Sequence, residues 1–110
     1  MELSFKNNKL EKTLTVDKEL AKAYGNLAKK IKQRMTQLKS ADNLKVIESL
    51  PALRLHEHTG SGKGTWSIDI QKNWRILFVI NQDPIPTLED GGIDLIGITI
   101  IRIESVADPH

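Results

Sequence analysis

The chain has 110 residues, 39% hydrophobic, 27% charged and only 5% aromatic, a globular balance that excludes a disordered, collagenous or coiled-coil chain and leaves Leu, Ile and Val to build the core. Cysteine is absent, which removes disulfides, thiolate metal sites and cysteine nucleophiles together. The net charge of +2 hides a gradient, with lysines crowding the first forty residues and Asp83, Glu89, Asp90 and Asp94 gathering later. The longest apolar run, Ile76 to Ile80, is far too short to span a bilayer, and Met1 to Phe5 has no signal-peptide layout. A soluble cytoplasmic domain over residues 1–110, without membrane association, is expected.

Taken in order, Glu2-Leu3-Ser4-Phe5 predicts a short strand with Leu3 and Phe5 on one face. Leu10 and Leu14 stand four apart in the polar stretch Asn7 to Thr15, the spacing of a helical stripe. Val16-Asp17 offers an N-cap, with Val16 set to staple onto Ala21. Leu20, Tyr24, Leu27, Ile31, Met35 and Leu38 then recur at steps of three and four, predicting one amphipathic helix from Asp17 to Lys39 with its lysines in water. Gly25 weakens it by about 1 kcal/mol relative to Ala. Ser40-Ala41-Asp42 re-caps the chain, and Leu44, Val46, Ile47 and Leu50 predict a second helix ending before Pro51.

Beyond Pro51 the period becomes two. Leu53 and Leu55 point one way, Arg54 and His56 the other. Gly60 to Gly64 is a turn. Trp66, Ile68 and Ile70 share the buried face of the next strand, opposite Thr65, Ser67, Asp69 and Gln71. Gln71-Lys72-Asn73 reverses the chain, and Trp74, Ile76, Phe78 and Ile80 resume the buried face while Leu77 and Val79 make the strand apolar on both sides. Asp83 to Gly92 is a long loop rich in breakers, and the last strand runs from about Ile93 to Val106. The fold class is α+β: two N-terminal helices packed on one face of a small, mainly antiparallel twisted sheet, with Trp66, Trp74 and Phe78 under the long helix.

By alternation the far face of that sheet collects Arg54, His56, His58, Ser67, Asp69, Arg75 and Arg102. Lys63 overhangs it from the turn, and Asp108-Pro109-His110 follows the last strand to the same end. Arginine grips a phosphate bidentately and lysine adds a point charge. Histidine, with an ordinary pKa near ~6.5, exchanges protons at neutral pH. Each residue also has a purely structural reading. Arg54 and Arg75 can form cross-strand ion pairs with Asp69 and Glu57. His56-Glu57-His58 is half of a metal site, but with no cysteine and only Asp108 and His110 to complete it, no zinc site is expected. Gly60 to Gly64 lacks the Gly-Lys-[Ser/Thr] ending of a phosphate-binding Walker loop and reads as a hairpin turn first, a backbone nest second.

Three runs carry a family resemblance: Arg54-Leu55-His56, Gly60-x-x-Lys63-Gly64-x-Trp66-Ser67-Ile68, and Asn73-Trp74-Arg75-Ile76. Together they resemble the RelE/ParE toxin superfamily, in particular its HigB-like branch, whose members commonly end Asp-Tyr-His where this chain has Asp108-Pro109-His110. The resemblance implies a toxin of a type II toxin–antitoxin system, a ribosome-dependent endoribonuclease that cleaves mRNA in the decoding site without a cofactor. It also implies a cognate, DNA-binding helix-turn-helix antitoxin of the HigA kind. His56, Asp108 and His110 match family catalytic positions, Arg75 matches the phosphate-contacting arginine after Asn-Trp, and Lys63 matches the basic turn position. Arg54 and Arg102 join Lys63 as expected RNA-binding residues. Pro109 replaces the usual tyrosine, Thr59 stands where many relatives carry lysine, and the loop from Gln82 to Gly92 is longer than usual. The alternative is a non-enzymatic ParE-like toxin that binds a protein such as gyrase; His56 and His110 favour the nuclease, Pro109 the binder.

Overall fold

Five strands and four α-helices make up residues 1–108, the residues described by the computed structural model. β1 (Glu2–Phe5) runs parallel to β5 (Ile100–Ala107). β4 (Trp74–Ile80), β3 (Thr65–Gln71) and β2 (His56–Glu57) follow antiparallel, giving the order β1-β5-β4-β3-β2. Ahead of β2 come α1 (Asn8–Thr15), α2 (Asp17–Tyr24), α3 (Ala28–Ser40) and α4 (Leu44–Glu48). The α+β class is as expected and α1 lies on the Leu10–Leu14 stripe, but the expected long helix is divided into α2 and α3. Among the described residues no helix is long and apolar enough to cross a membrane.

The predicted helix from Asp17 to Lys39 breaks at Gly25, which takes φ +54 and opens a 3-10 turn over Gly25–Leu27. Glycine enters that left-handed region without a Cβ clash. A straight helix of that length would run about 34 Å, beyond the roughly 23 Å of a seven-residue strand. The break instead sets Tyr24 edge-on to Trp74, ring centroids 6.3 Å apart at 82°. Val16 precedes α2 without a side-chain cap bond and is exposed rather than stapled, while Asp17 pairs with Lys32 of α3 at 3.0 Å. α4 is capped by Asn43, whose Oδ1 accepts from the Val46 N–H, not by Ser40 to Asp42.

Two strand readings also change. Pro51, preset for the first position of a helical turn, starts a 3-10 turn over Pro51–Leu53. Arg54 leaves that turn in the left-handed region, so only His56–Glu57 pair as strand. The last strand begins at Ile100, not Ile93. Residues 93–99 are spent on a bridge between Thr87 and Ile93 and a 3-10 turn over Leu95–Gly97 capped by Asp94. Gln82 clasps that loop, its Oε1 accepting from Thr99 and Ile100 N–H and its Nε2 donating to the Gly97 carbonyl. The hairpin β3–β4 matches its reading: Trp66, Ile68, Ile70, Ile76 and Phe78 are buried toward the helices, with Trp74 half-buried beside Tyr24. Leu77 and Val79 on the opposite face are only half-buried, so that face stays open.

Candidate active site

Cross-strand register decides which far-face residues meet. His56 of β2 stands opposite Ser67 of β3, Ser67 opposite Leu77 of β4, and Leu77 opposite Ser105 of β5. The neighbouring row on that face is Asp69, Arg75 and Ala107. Histidine and arginine therefore come from adjacent rows at one end of the sheet.

Asp69 organises the arginines. Its carboxylate, largely shielded, lies 3.4 Å from Nη1 of Arg54 and 3.4 Å from Nε of Arg75. Two guanidinium groups thus share one carboxylate and leave a net positive charge. Arg75 Nε is the one buried side-chain nitrogen or oxygen among the described residues that lacks a hydrogen-bond partner. A buried donor left unmade costs about 1–3 kcal/mol, so Asp69 holds this guanidinium loosely. The expected pairing of arginine with Glu57 is not made; Glu57 Oε2 instead accepts from the Gly64 N–H at 3.3 Å, tying β2 to the turn that carries exposed Lys63.

Asp69 is itself fixed from behind. The β3–β4 register shifts between Asp69 and Gln71, a bulge of the kind that re-aims side chains. At that point the Asp69 carbonyl accepts from Nε of Arg34 at 2.8 Å. Arg34 is buried on α3 and also donates to Gln37 Oε1. Burial lowers its pKa, and the Asp69 carboxylate partly restores it. Sequence reasoning passed over Arg34, although its place three after Ile31 and four before Leu38 put it on the buried stripe.

The imidazoles are stacked. The rings of His56 and His58 lie 4.8 Å apart at 13°. The His58 N–H donates to the Thr65 carbonyl, and its Nε2 lies 3.1 Å from Oγ of Ser67, which is fully buried beneath it. Gly62 packs closely here: a Cβ at that position would stand 3.0 Å from the His58 Cβ. Burial pushes the His58 pKa below the ordinary histidine value, with the charges of His56 and Arg75 adding to the effect. His58 was only one far-face residue among several in the sequence; the β2–β3 pairing makes it the centre of the group.

Arg102 stands apart. It pairs in register with Val79 and Ser4, and its guanidinium grips Glu104 with Nε at 2.8 Å and Nη2 at 3.3 Å. Asp108 is exposed and directly follows Ala107, the register partner of Arg75, so the chain leaves β5 at the arginine–histidine end. Pro109 and His110 lie outside the described residues. Among the described residues no three His, Cys, Asp or Glu side chains gather as a metal-holding group.

The same fold occurs in two crystal structures of YafQ from E. coli, one of a histidine-to-glutamine mutant and one from strain BL21(DE3). They superpose with TM-scores of 0.54 and 0.52 at 18% identity, over 98% of this chain and 92% of theirs. The chain thus shares the YafQ fold. The chain belongs to the HigB-like toxins, RelE-like toxins of type II toxin–antitoxin systems, whose family model matches residues 3–88 and so includes the whole arginine–histidine group. Membership in a type II system implies an antitoxin partner. No curated protein matches the chain.

Proposed function

We propose that this toxin is a ribosome-dependent endoribonuclease that cuts mRNA in the decoding site and is neutralised by a HigA-like helix-turn-helix antitoxin. The observation that carries this reading is the meeting, at one end of an open sheet face, of a stacked imidazole pair and two guanidinium groups sharing a single carboxylate. Family membership supports RNA cleavage at the level of the family.

In the proposed reaction the message's own 2′-hydroxyl attacks the adjacent phosphorus and the P–O5′ bond breaks, leaving a 2′,3′-cyclic phosphate and a 5′-hydroxyl. The step needs a base for the 2′-hydroxyl, an acid for the departing 5′ oxygen, and positive charge for the crowded phosphorane. His56 and His110 serve as the acid–base pair, a contribution of roughly 10²- to 10⁴-fold. Arg75, with Lys63 and Arg54 at the rim, stabilises the developing charge; groups in this role are worth about 3 kcal/mol. Asp108 orients a histidine or contacts the message. DNA is no substrate by this route because it lacks the 2′-hydroxyl. Lysines on the outer face of α2 and α3 add salt-sensitive contacts to ribosomal RNA.

The test is incubation with programmed ribosomes and mapping of mRNA ends, beside an assay of gyrase-dependent DNA breaks. Cleavage by the wild type that disappears in His56→Ala and in His110→Ala, with thermal melts unchanged, supports the reading. Intact mRNA together with gyrase-dependent breaks would replace it with the ParE-like alternative.

A further inference from the structure

His58 lies between the motif runs that carry the family resemblance, and the proposed reaction gives it no proton to move. Its surroundings are nevertheless built around it. Ser67 holds Nε2 from below, Gly62 approaches its Cβ, and its ring lies flat on His56. The charged groups that act on His58 are His56 on β2 and Arg75 on β4, and Asp69 on β3 stands opposite Arg75 in the neighbouring row. Asp69 is the carboxylate among them, and it is already shared by Arg54 and Arg75. A second positive charge on the stack would meet the first and that of Arg75.

We infer that His58, anchored by Ser67, is a positioning residue for His56: its ring fixes the orientation of the catalytic imidazole, and the stacked pair carries no more than one proton. This deepens the proposed function and rests on its assignment of His56. Whether His56 acts as base or acid, it passes through an imidazolium form, and that cation lies on the face of a neutral aromatic ring, a favourable arrangement. The proton moves on and off His56 during the step, and His58 moves none. The lowered pKa of His58, caused first by burial and then by His56 and Arg75, agrees with this division. A second proton, arriving only in acid, sets two like charges face to face and ends activity.

NMR titration of the imidazole ring signals in the intact protein from about pH 8 to about pH 4 tests the pair without any nuclease assay. His58 is expected to titrate below the ordinary value of about 6.5 and to move upward in His56→Gln, which removes the facing charge. In Ser67→Ala the ring-current shift of His56 should diminish as the stack loosens. In the cleavage assay, misplacing a reacting group costs up to about 10²-fold. His58→Ala should therefore lower kcat by about ten- to a hundredfold with KM within about twofold. His58→Phe, which restores a stacked ring without titrating nitrogens, should recover most of that kcat and lose the acid limb of the pH profile that His58 sets. An ordinary His58 titration indifferent to His56→Gln overturns the inference, as does wild-type kcat in His58→Ala beside an inactive His56→Ala. If His56→Ala also cleaves normally, the nuclease assignment has failed, and the NMR titration still decides the stack.

Discussion

Two arginine–carboxylate groups sit on the same sheet face and differ in one respect that matters. At one end, Arg54 and Arg75 divide a single shielded carboxylate, Asp69, at 3.4 Å each, and Arg75 Nε remains without a hydrogen bond. Toward β1, Arg102 meets its own carboxylate, Glu104, with two contacts at 2.8 and 3.3 Å. The first group is electrostatically incomplete and the second is closed. A phosphate approaching the first finds excess positive charge and a guanidinium not fully engaged; at the second it would have to displace a carboxylate. Hydrogen bonding to Glu104 and its charge raise the Arg102 pKa, yet an exposed pair of this kind contributes little to stability. The same residue types on one face thus leave charge unbalanced in one place and paired off in the other. For Arg102 this weighs against the RNA-binding role expected from sequence.

Substitutions that unbalance either group sharpen the contrast. Arg75→Ala should reduce mRNA cleavage by about 10²- to 10³-fold while the thermal midpoint holds, because Asp69 grips that side chain loosely. Asp69→Asn should lower cleavage about tenfold by releasing both guanidinium groups, a loss of about 1.4 kcal/mol in transition-state stabilisation. Its melt should fall modestly, since the Arg34 contact is to the Asp69 backbone and survives. A smaller effect is expected on the pH dependence of stability. His58 binds its proton less readily folded than unfolded, so as pH falls below about 6.5 the unfolded chain protonates first and the melting temperature declines. His58→Phe should flatten that slope in melts recorded across the same range. Arg102→Ala should be the mildest change, within about twofold in cleavage and about 0.5 kcal/mol in stability.

Much of this arrangement is legible in the sequence alone. Alternation from Thr65 to Ile80 assigned both faces of the central hairpin, and with them the meeting of Asp69 and Arg75. Periodicity was a poorer guide where tertiary contacts decide. It ran through Gly25, where the chain breaks at a positive φ and Tyr24 meets Trp74 across the fold. It read Leu53-Arg54-Leu55-His56 as strand, whereas Pro51 begins a turn and Arg54 enters the left-handed region. It extended the last strand back to Ile93 because the clasp by Gln82 involves residues 15 to 18 positions apart. The stacked histidines were visible as an i, i+2 pair, but Ser67 becomes the anchor of His58 only through the β2–β3 register. Arg34 lay on the apolar stripe and was hidden among lysines. Of the terminal Asp108-Pro109-His110, only Asp108 falls within the described residues.

The contrast between the two arginine groups is tested most directly by single-turnover cleavage of mRNA on programmed ribosomes with Arg75→Ala and Arg102→Ala side by side. Loss of at least about a hundredfold in the first, with the second within about twofold of wild type, is the predicted result. Equal losses in both variants, or full cleavage by Arg75→Ala, would contradict the assignment of the Asp69 group as the site where RNA is cut.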